Sequence, residues 1–352
     1  MKFPSHETAG PVATEVTRSA NGPAPATSLL APAATSIHPT SRRWRQTVVL
    51  TLGAVVLFVV VRLLPTGTNL SHMDFRAQGR NVIEFCDPLN PQFLPVVTVR
   101  SPVTMTVTTD VEAAARQTVH ATLTLVTSTG KPIGPADLLV AHTQKLHLLI
   151  VDPTLTDYQH VHPVPGHRPG EWTFLFTPRF GGSYRLFADF TPAATGRGLY
   201  ASADLPVAGS GGPVDDQAAR PPGGSTVEIA KTTGEATTVA VDGYRFALAP
   251  AAPLRANRPA DLALSVTQSG GGRVQLEPIM GAFAHLVAFD ATRSGFAHLH
   301  PNETDLARPP DAVAPRLTFK VMIPQAGRYA IWAQVKLEGR EVFAPFWVEV
   351  VN

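Results

Sequence analysis

Apolar and polar residues alternate in two different ways along this chain. Residues 47–64 form one apolar run of 18 residues with a single charge, Arg62. At ~1.5 Å per residue a helix of that length spans about 27 Å, close to the thickness of a bilayer's hydrocarbon layer. Beyond it the runs shorten. Residues 82–85, 103–108, 119–126 and 147–151 are rich in Val, Leu, Ile and Thr and are mostly bounded by Pro, Gly or Asp, so each predicts a strand. Residues 110–116 (DVEAAAR) predict one or two helical turns. The pattern is that of an all-β protein behind one N-terminal membrane helix.

Composition divides the chain further. Residues 1–45 are Pro, Ala, Thr and Ser with few large apolar side chains, too little to offset ordering entropy, and are expected to be a disordered cytoplasmic tail. A transmembrane helix at 46–64 follows, then a tether at 65–80 and a first β-sandwich at 81–208. A Gly/Pro/Asp linker at 209–224 leads to a second sandwich at 225–352. Arg42, Arg43 and Arg45 precede the apolar run, and no comparable cluster follows it. The positive-inside rule then places the N-terminus in the cytoplasm and the C-terminal modules in the periplasm or outside, anchored by a single pass of the cytoplasmic membrane. A cleaved signal peptide competes with this reading. The segment before the run is long for one, and no A-x-A-like site follows Leu64.

The two modules repeat one another. His147, Asp152, His160, His162 and Pro163 recur 138 residues later as His285, Asp290, His298, His300 and Pro301. Gly182-Ser-Tyr184 recurs with a shift of 145 as Gly327-Arg-Tyr329. The added residues fall after Pro301, in a connection where length costs little. The expected arrangement is two beads on one anchor.

The repeat concentrates the chemistry. In a strand, residues i and i+2 share a face, so His160 and His162 point one way. A hairpin pairing His147 with either of them puts all three imidazoles on that face; a slip of one residue removes His147. His285, His298 and His300 repeat the spacing. Three imidazoles suit Cu or Zn, with copper the first expectation and zinc the second. Met280 and Met105 are weaker candidates as soft donors. The competing reading is structural: histidines bonding backbone carbonyls, with Asp152 and Asp290 as turn formers or as acceptors from them. Convergence of the imidazole nitrogens within about 4–5 Å favours metal, given nitrogen–metal bonds of ~2.0–2.1 Å. His120, His142 and His167 read as loop or surface residues.

The remaining composition excludes more than it adds. Formal net charge is +2, so no basic surface for nucleic acid is expected. The lone cysteine, Cys86, rules out an intrachain disulfide, and the second module has no thiolate for a blue-copper centre. No G-x-S-x-G, H-E-x-x-H or P-loop is present, so neither an enzyme, an organic cofactor nor a small-molecule substrate is expected.

The stretches around His285, His298-Leu-His300-Pro301 and Gly327–Trp332, with their first-module counterparts, resemble a widespread group of exported bacterial β-sandwich domains. The resemblance implies an immunoglobulin-like or cupredoxin-like fold in envelope proteins of heavy-metal handling. The expected function is metal sequestration or delivery, with envelope proteins as partners. The alternative is a structural or interaction module whose histidines only stabilise a hairpin.

Overall fold

A computed structural model describes residues 40–63, 70–75, 93–97, 101–212, 227–233 and 236–352. Residues 1–39 of the expected tail, the strand at 82–85, Cys86 and most of the 209–224 linker lie outside those residues, whereas 40–45, expected as tail, are helical. Helix α1 (Thr40–Leu63) begins earlier than the apolar run, with Arg42, Arg43 and Arg45 on its first turns and Arg62 on its last. Its apolar segment Arg42–Val61 is long enough to cross a membrane, and none of it is buried. It forms one compact unit, and residues 65–352 form another.

The second unit, with single 3-10 turns at His72–Phe75 and Pro135–Asp137, is built of strands. In the first module these are β1 (Val103–Thr109), β2 (Val119–Thr127), β3 (Leu138–Leu139), β4 (Leu146–Val151), β5 (Tyr158–Val161), β6 (Val164–Pro165), β7 (Glu171–Phe176), β8 (Gly182–Pro192) and β9 (Leu199–Val207). The second module holds β10 (Val227–Thr233), β11 (Ala236–Val241), β12 (Tyr244–Pro250), β13 (Pro259–Gln268), β14 (Ala284–Asp290), β15 (Phe296–Leu299), β16 (Arg316–Met322), β17 (Gly327–Leu337) and β18 (Arg340–Val350). Each module is a two-sheet sandwich. Sheet β1-β2-β7-β6 packs on the sheet of β3, β8, β4, β5 and β9; sheet β10-β11-β12-β13-β16 packs on β15-β14-β17-β18.

Outer and inner sheets differ in patterning. β2 alternates between buried and partly exposed positions, as a strand with one wet face must. β4 is buried at every position and β14 at all but its last. One face of β4 (Leu146, Leu148, Ile150) fills its own sandwich, and one face of β14 (Ala284, Leu286, Ala288) does the same. The opposite faces meet. Leu149, Val151, Tyr158 and Phe187 share one apolar cluster with Val287, Phe289, Phe296 and Trp332. Beads on a string are therefore replaced by two modules fused sheet to sheet. Trp332 Nε1 donates to the Leu155 carbonyl at 3.3 Å, and Arg185 donates to the Arg293 carbonyl at 2.8 Å. Leu155 and Arg293 are the same turn position in the two copies, each with positive φ.

The chain also laces the modules before either is complete. Within the expected tether, Phe75 enters the first core and Asp74 pairs with Lys131 at 2.6 Å. Residues 93–97 then cross to the second module. Leu94 bridges Phe296, and Phe93 enters the second core. Gly295 permits this, because a Cβ there would meet the Leu94 carbonyl oxygen at 1.7 Å. No helix forms at 110–116. That stretch is pinned to β9's end instead, with Ala115 N donating to the Ala208 carbonyl at 2.9 Å and Ala208 N to the Ala113 carbonyl at 2.8 Å.

The hairpin register is set by the repeated aspartates. Asp152, fully buried, accepts the backbone N–H groups of Thr154, Thr156 and Asp157 at 2.8–3.0 Å. Asp290 accepts those of Thr292, Ser294 and Gly295 at 2.7–3.3 Å. Asp152→Ala leaves three backbone donors unsatisfied, two of them buried, and is expected to cost about 3 kcal/mol in urea unfolding. Asp305→Ala, in an exposed turn, should stay within about 0.5 kcal/mol. Equal losses would show that the buried turn does not set the register.

Candidate metal centre

The registers settle which imidazoles share a face. β4 pairs with β5 with Leu149 opposite His160, and β14 with β15 with Val287 opposite His298. Extending each ladder sets His147 against His162 and His285 against His300. All six lie on the face that the two modules share. Within each trio the candidate ligand nitrogens fall within 4.8 Å of one another. His147, His160 and His285 are buried, and His162, His298 and His300 are partly so.

The hydrogen bonds fix tautomers. His147 Nε2 faces the Ala141 carbonyl at 3.0 Å, so it carries the proton and Nδ1 keeps a lone pair. His160 Nδ1 lies 2.9 Å from Gln334 Oε1. The Gln334 amide is itself oriented, because its Nε2 donates to Glu341 at 2.8 Å. His160 Nδ1 must then donate, and Nε2 keeps the lone pair. Yet His147 Nδ1 and His160 Nε2 stand 3.2 Å apart. Two lone pairs that close repel unless a cation lies between them. For bonds of ~2.0–2.1 Å, two ligands on a tetrahedral ion stand about 3.3 Å apart.

The other nitrogens of the cluster are barer, most of them in the second trio. His298 Nδ1 meets Asp189 Oδ2 at 3.0 Å. His298 Nε2, His300 Nε2, His162 Nε2 and both nitrogens of His285 are buried with no hydrogen-bond partner. Each such group costs about 1–3 kcal/mol, so five together rival the ~5–15 kcal/mol stability of a whole domain. Burial pushes all six imidazoles below the ordinary histidine range, furthest at His160, His285, His298 and His300. Neutral imidazole is the form that ligates.

His142 belongs to this cluster as well. It is solvent-exposed in a loop, as its sequence suggests, but its ring stacks on His300 of the other module at 3.7 Å between centroids. Its counterpart under the 138-residue shift is Met280. Both sit in tight loops closed by the bridges Ala141–Gln144 and Ile279–Ala282, and both have a φ of 49°. The repeat therefore pairs His142 with Met280, a correspondence that identity-based alignment misses. Met105 lies in the first module's apolar core. Asp152 and Asp290 serve the turns and do not receive a proton from the histidines. Clefts reach the cluster from outside: one of about 450 Å³ is lined by His142, His147, Asp189, Arg197, His298 and His300, another of about 520 Å³ by Asp110, His120 and His162.

A family model described as a domain of unknown function, DUF8832, matches residues 99–207 and 237–352, one span per module. No curated protein sequence matches the chain. Among solved structures, similarity extends to a DUF4785 family protein of Legionella pneumophila, with 10% identity over 69% of this chain and 55% of that one, TM-score 0.21. The Escherichia coli adhesin FdeC shares 13% identity over 70% and 64%, TM-score 0.21. The fibronectin(III)-like modules of Clostridium thermocellum CbhA share 13% over 70% and 93%, TM-score 0.17. The chain thus spans about half to two thirds of the first two.

The depressed histidines give the metal-free protein a signed pH dependence. Their folded pKa lies below the unfolded value of about 6.5, so below that pH the unfolded chain binds more protons and stability falls. Urea midpoints of metal-free protein should drop steadily from pH 7 to pH 5. A flat midpoint would show that the imidazoles are not desolvated.

Proposed function

The chain belongs to the DUF8832 family, and we propose that it is a membrane-anchored, periplasmic metal-binding protein that sequesters or delivers a transition metal, copper foremost, and performs no catalysis. The observation that supports this best is the pair of acceptor nitrogens on His147 and His160, held 3.2 Å apart by outward partners that fix both tautomers. A histidine set that only locked a hairpin would turn its nitrogens to carbonyls. Of the six, the one bond to a carbonyl is that of His147, while five buried nitrogens have no partner. The candidate membrane span and the basic residues before it support anchorage with the modules outside the cytoplasm. Delivery would require an envelope partner, with the clefts beside His142 and His120 as routes for the ion.

Full-length protein in detergent, titrated with Cu(I), Cu(II) and Zn(II) against competing chelators, should bind at least one ion tighter than micromolar. Replacing His160, His162, His298 and His300 together by Ala should abolish that binding. Binding no tighter than micromolar would sink the proposal.

A second measurement separates ligand from structural histidine without any metal. His285 is fully buried with both nitrogens unpartnered. His285→Leu should therefore raise metal-free stability by about 1–3 kcal/mol while weakening metal binding at the trio of His285, His298 and His300. A loss of stability of that size would mean that His285 supports the fold.

A further inference from the structure

The two trios are closer to being one set than two. Imidazole centroids within a trio lie 4.8–5.5 Å apart. Between trios, His160 and His298 are 5.4 Å apart, His147 and His298 5.7 Å, and His160 and His285 6.4 Å. Each trio is also completed by the opposite module. Gln334 of the second holds His160 of the first, and Asp189 of the first holds His298 of the second. Asp189 and Gln334 are the same position in the repeat, opposite His147 and His285 on the neighbouring strands. The contacts are reciprocal, but the charges differ: one copy carries a carboxylate and the other an amide.

That difference governs what the centre can hold. Histidines ligate as neutral groups. Among the described residues, Asp189 is the carboxylate hydrogen-bonded to an imidazole of the cluster. Glu341 lies one bond further out, behind Gln334. Arg197 lines the same cleft with a positive charge, and Asp110 lines the other cleft, beside His162. Two divalent ions would set four positive charges against one contacting carboxylate, and two monovalent ions would set two. The repulsion between the ions is fourfold smaller in the monovalent case at the same separation.

We propose that the two trios form one binuclear centre whose full loading is reserved for a pair of monovalent d10 cations, Cu(I) foremost, while a divalent ion such as Zn(II) fills a single trio and opposes a second. This rests on the trios being metal sites. The Asp189-backed trio of His285, His298 and His300 takes the divalent ion first, because a carboxylate on the outer nitrogen makes His298 a stronger donor.

Anaerobic competition titrations of the full chain in detergent micelles test this with Cu(I) and Zn(II) as the probes. Two Cu(I) should bind with affinities within about tenfold of each other. Zn(II) should show one tight site, and a second at least a hundredfold weaker. His298→Ala with His300→Ala should weaken the tight Zn(II) site far more than His160→Ala with His162→Ala. Asp189→Asn should weaken it about 10–100-fold. Exchanging the amide and carboxylate by Gln334→Glu with Glu341→Gln keeps their hydrogen bond and moves a negative charge inward. That pair should tighten the second Zn(II) site at least tenfold. Two Zn(II) of equal affinity in the unaltered protein, or only one Cu(I), would overturn the binuclear assignment while leaving metal binding intact. No binding of either ion would overturn the metal reading itself.

Discussion

The structure depends on two sheets that have no free face. The inner sheets of both sandwiches are apolar on the core side and apolar again on the outer side, so neither can be left in water. Packing them on each other buries Leu149, Val151, Phe187, Val287, Phe289 and Trp332, and encloses whatever else the strands carry on that face. The histidines are thus buried by their neighbours' requirement and not by their own. Burial then does the chemistry, keeping the rings neutral and orienting them through the few polar groups within reach.

Those polar groups are distributed economically. A carbonyl holds His147, an amide braced by Glu341 holds His160, and a carboxylate holds His298. Each bond uses the nitrogen directed away from the centre and leaves the inner one as a lone pair. A purely structural histidine cluster would spread its bonds over both nitrogens. Here the inner nitrogens are left to one another, an arrangement that costs free energy in the absence of a partner.

Much of the fold was legible in the sequence. Short β-branched runs, the 138-residue repeat and the apolar stretch at 47–64 translate directly into sandwiches, equivalent hairpins and a helix long enough to cross a membrane. The convergence of each trio follows from period-2 geometry once the aspartates fix the turns. The joining of the trios was written in a subtler way. Residues 148–151, 286–289 and 330–333 are continuously apolar, where β2 alternates, and an unbroken run marks a strand covered on both sides. Such a run does not say what covers the second face, and a partner module answers that only in three dimensions. His142 escaped for a related reason. Its equivalent is a methionine, and the ring it stacks on, that of His300, belongs to the other module. The failed helix at 110–116 reflects a tertiary pairing with Ala208 that outweighs local propensity.

The lacing of the chain has a kinetic consequence. The polypeptide docks on the first module at residues 70–75, crosses to the second at 93–97, returns at β1 and crosses again after β9. Three covalent passages therefore join the faces that enclose the centre. If those faces part, they do not diffuse away, and re-closure is a unimolecular event at high effective concentration, independent of how much protein is present. Any parting of the modules would therefore leave them tethered face to face, with the six histidines held near one another.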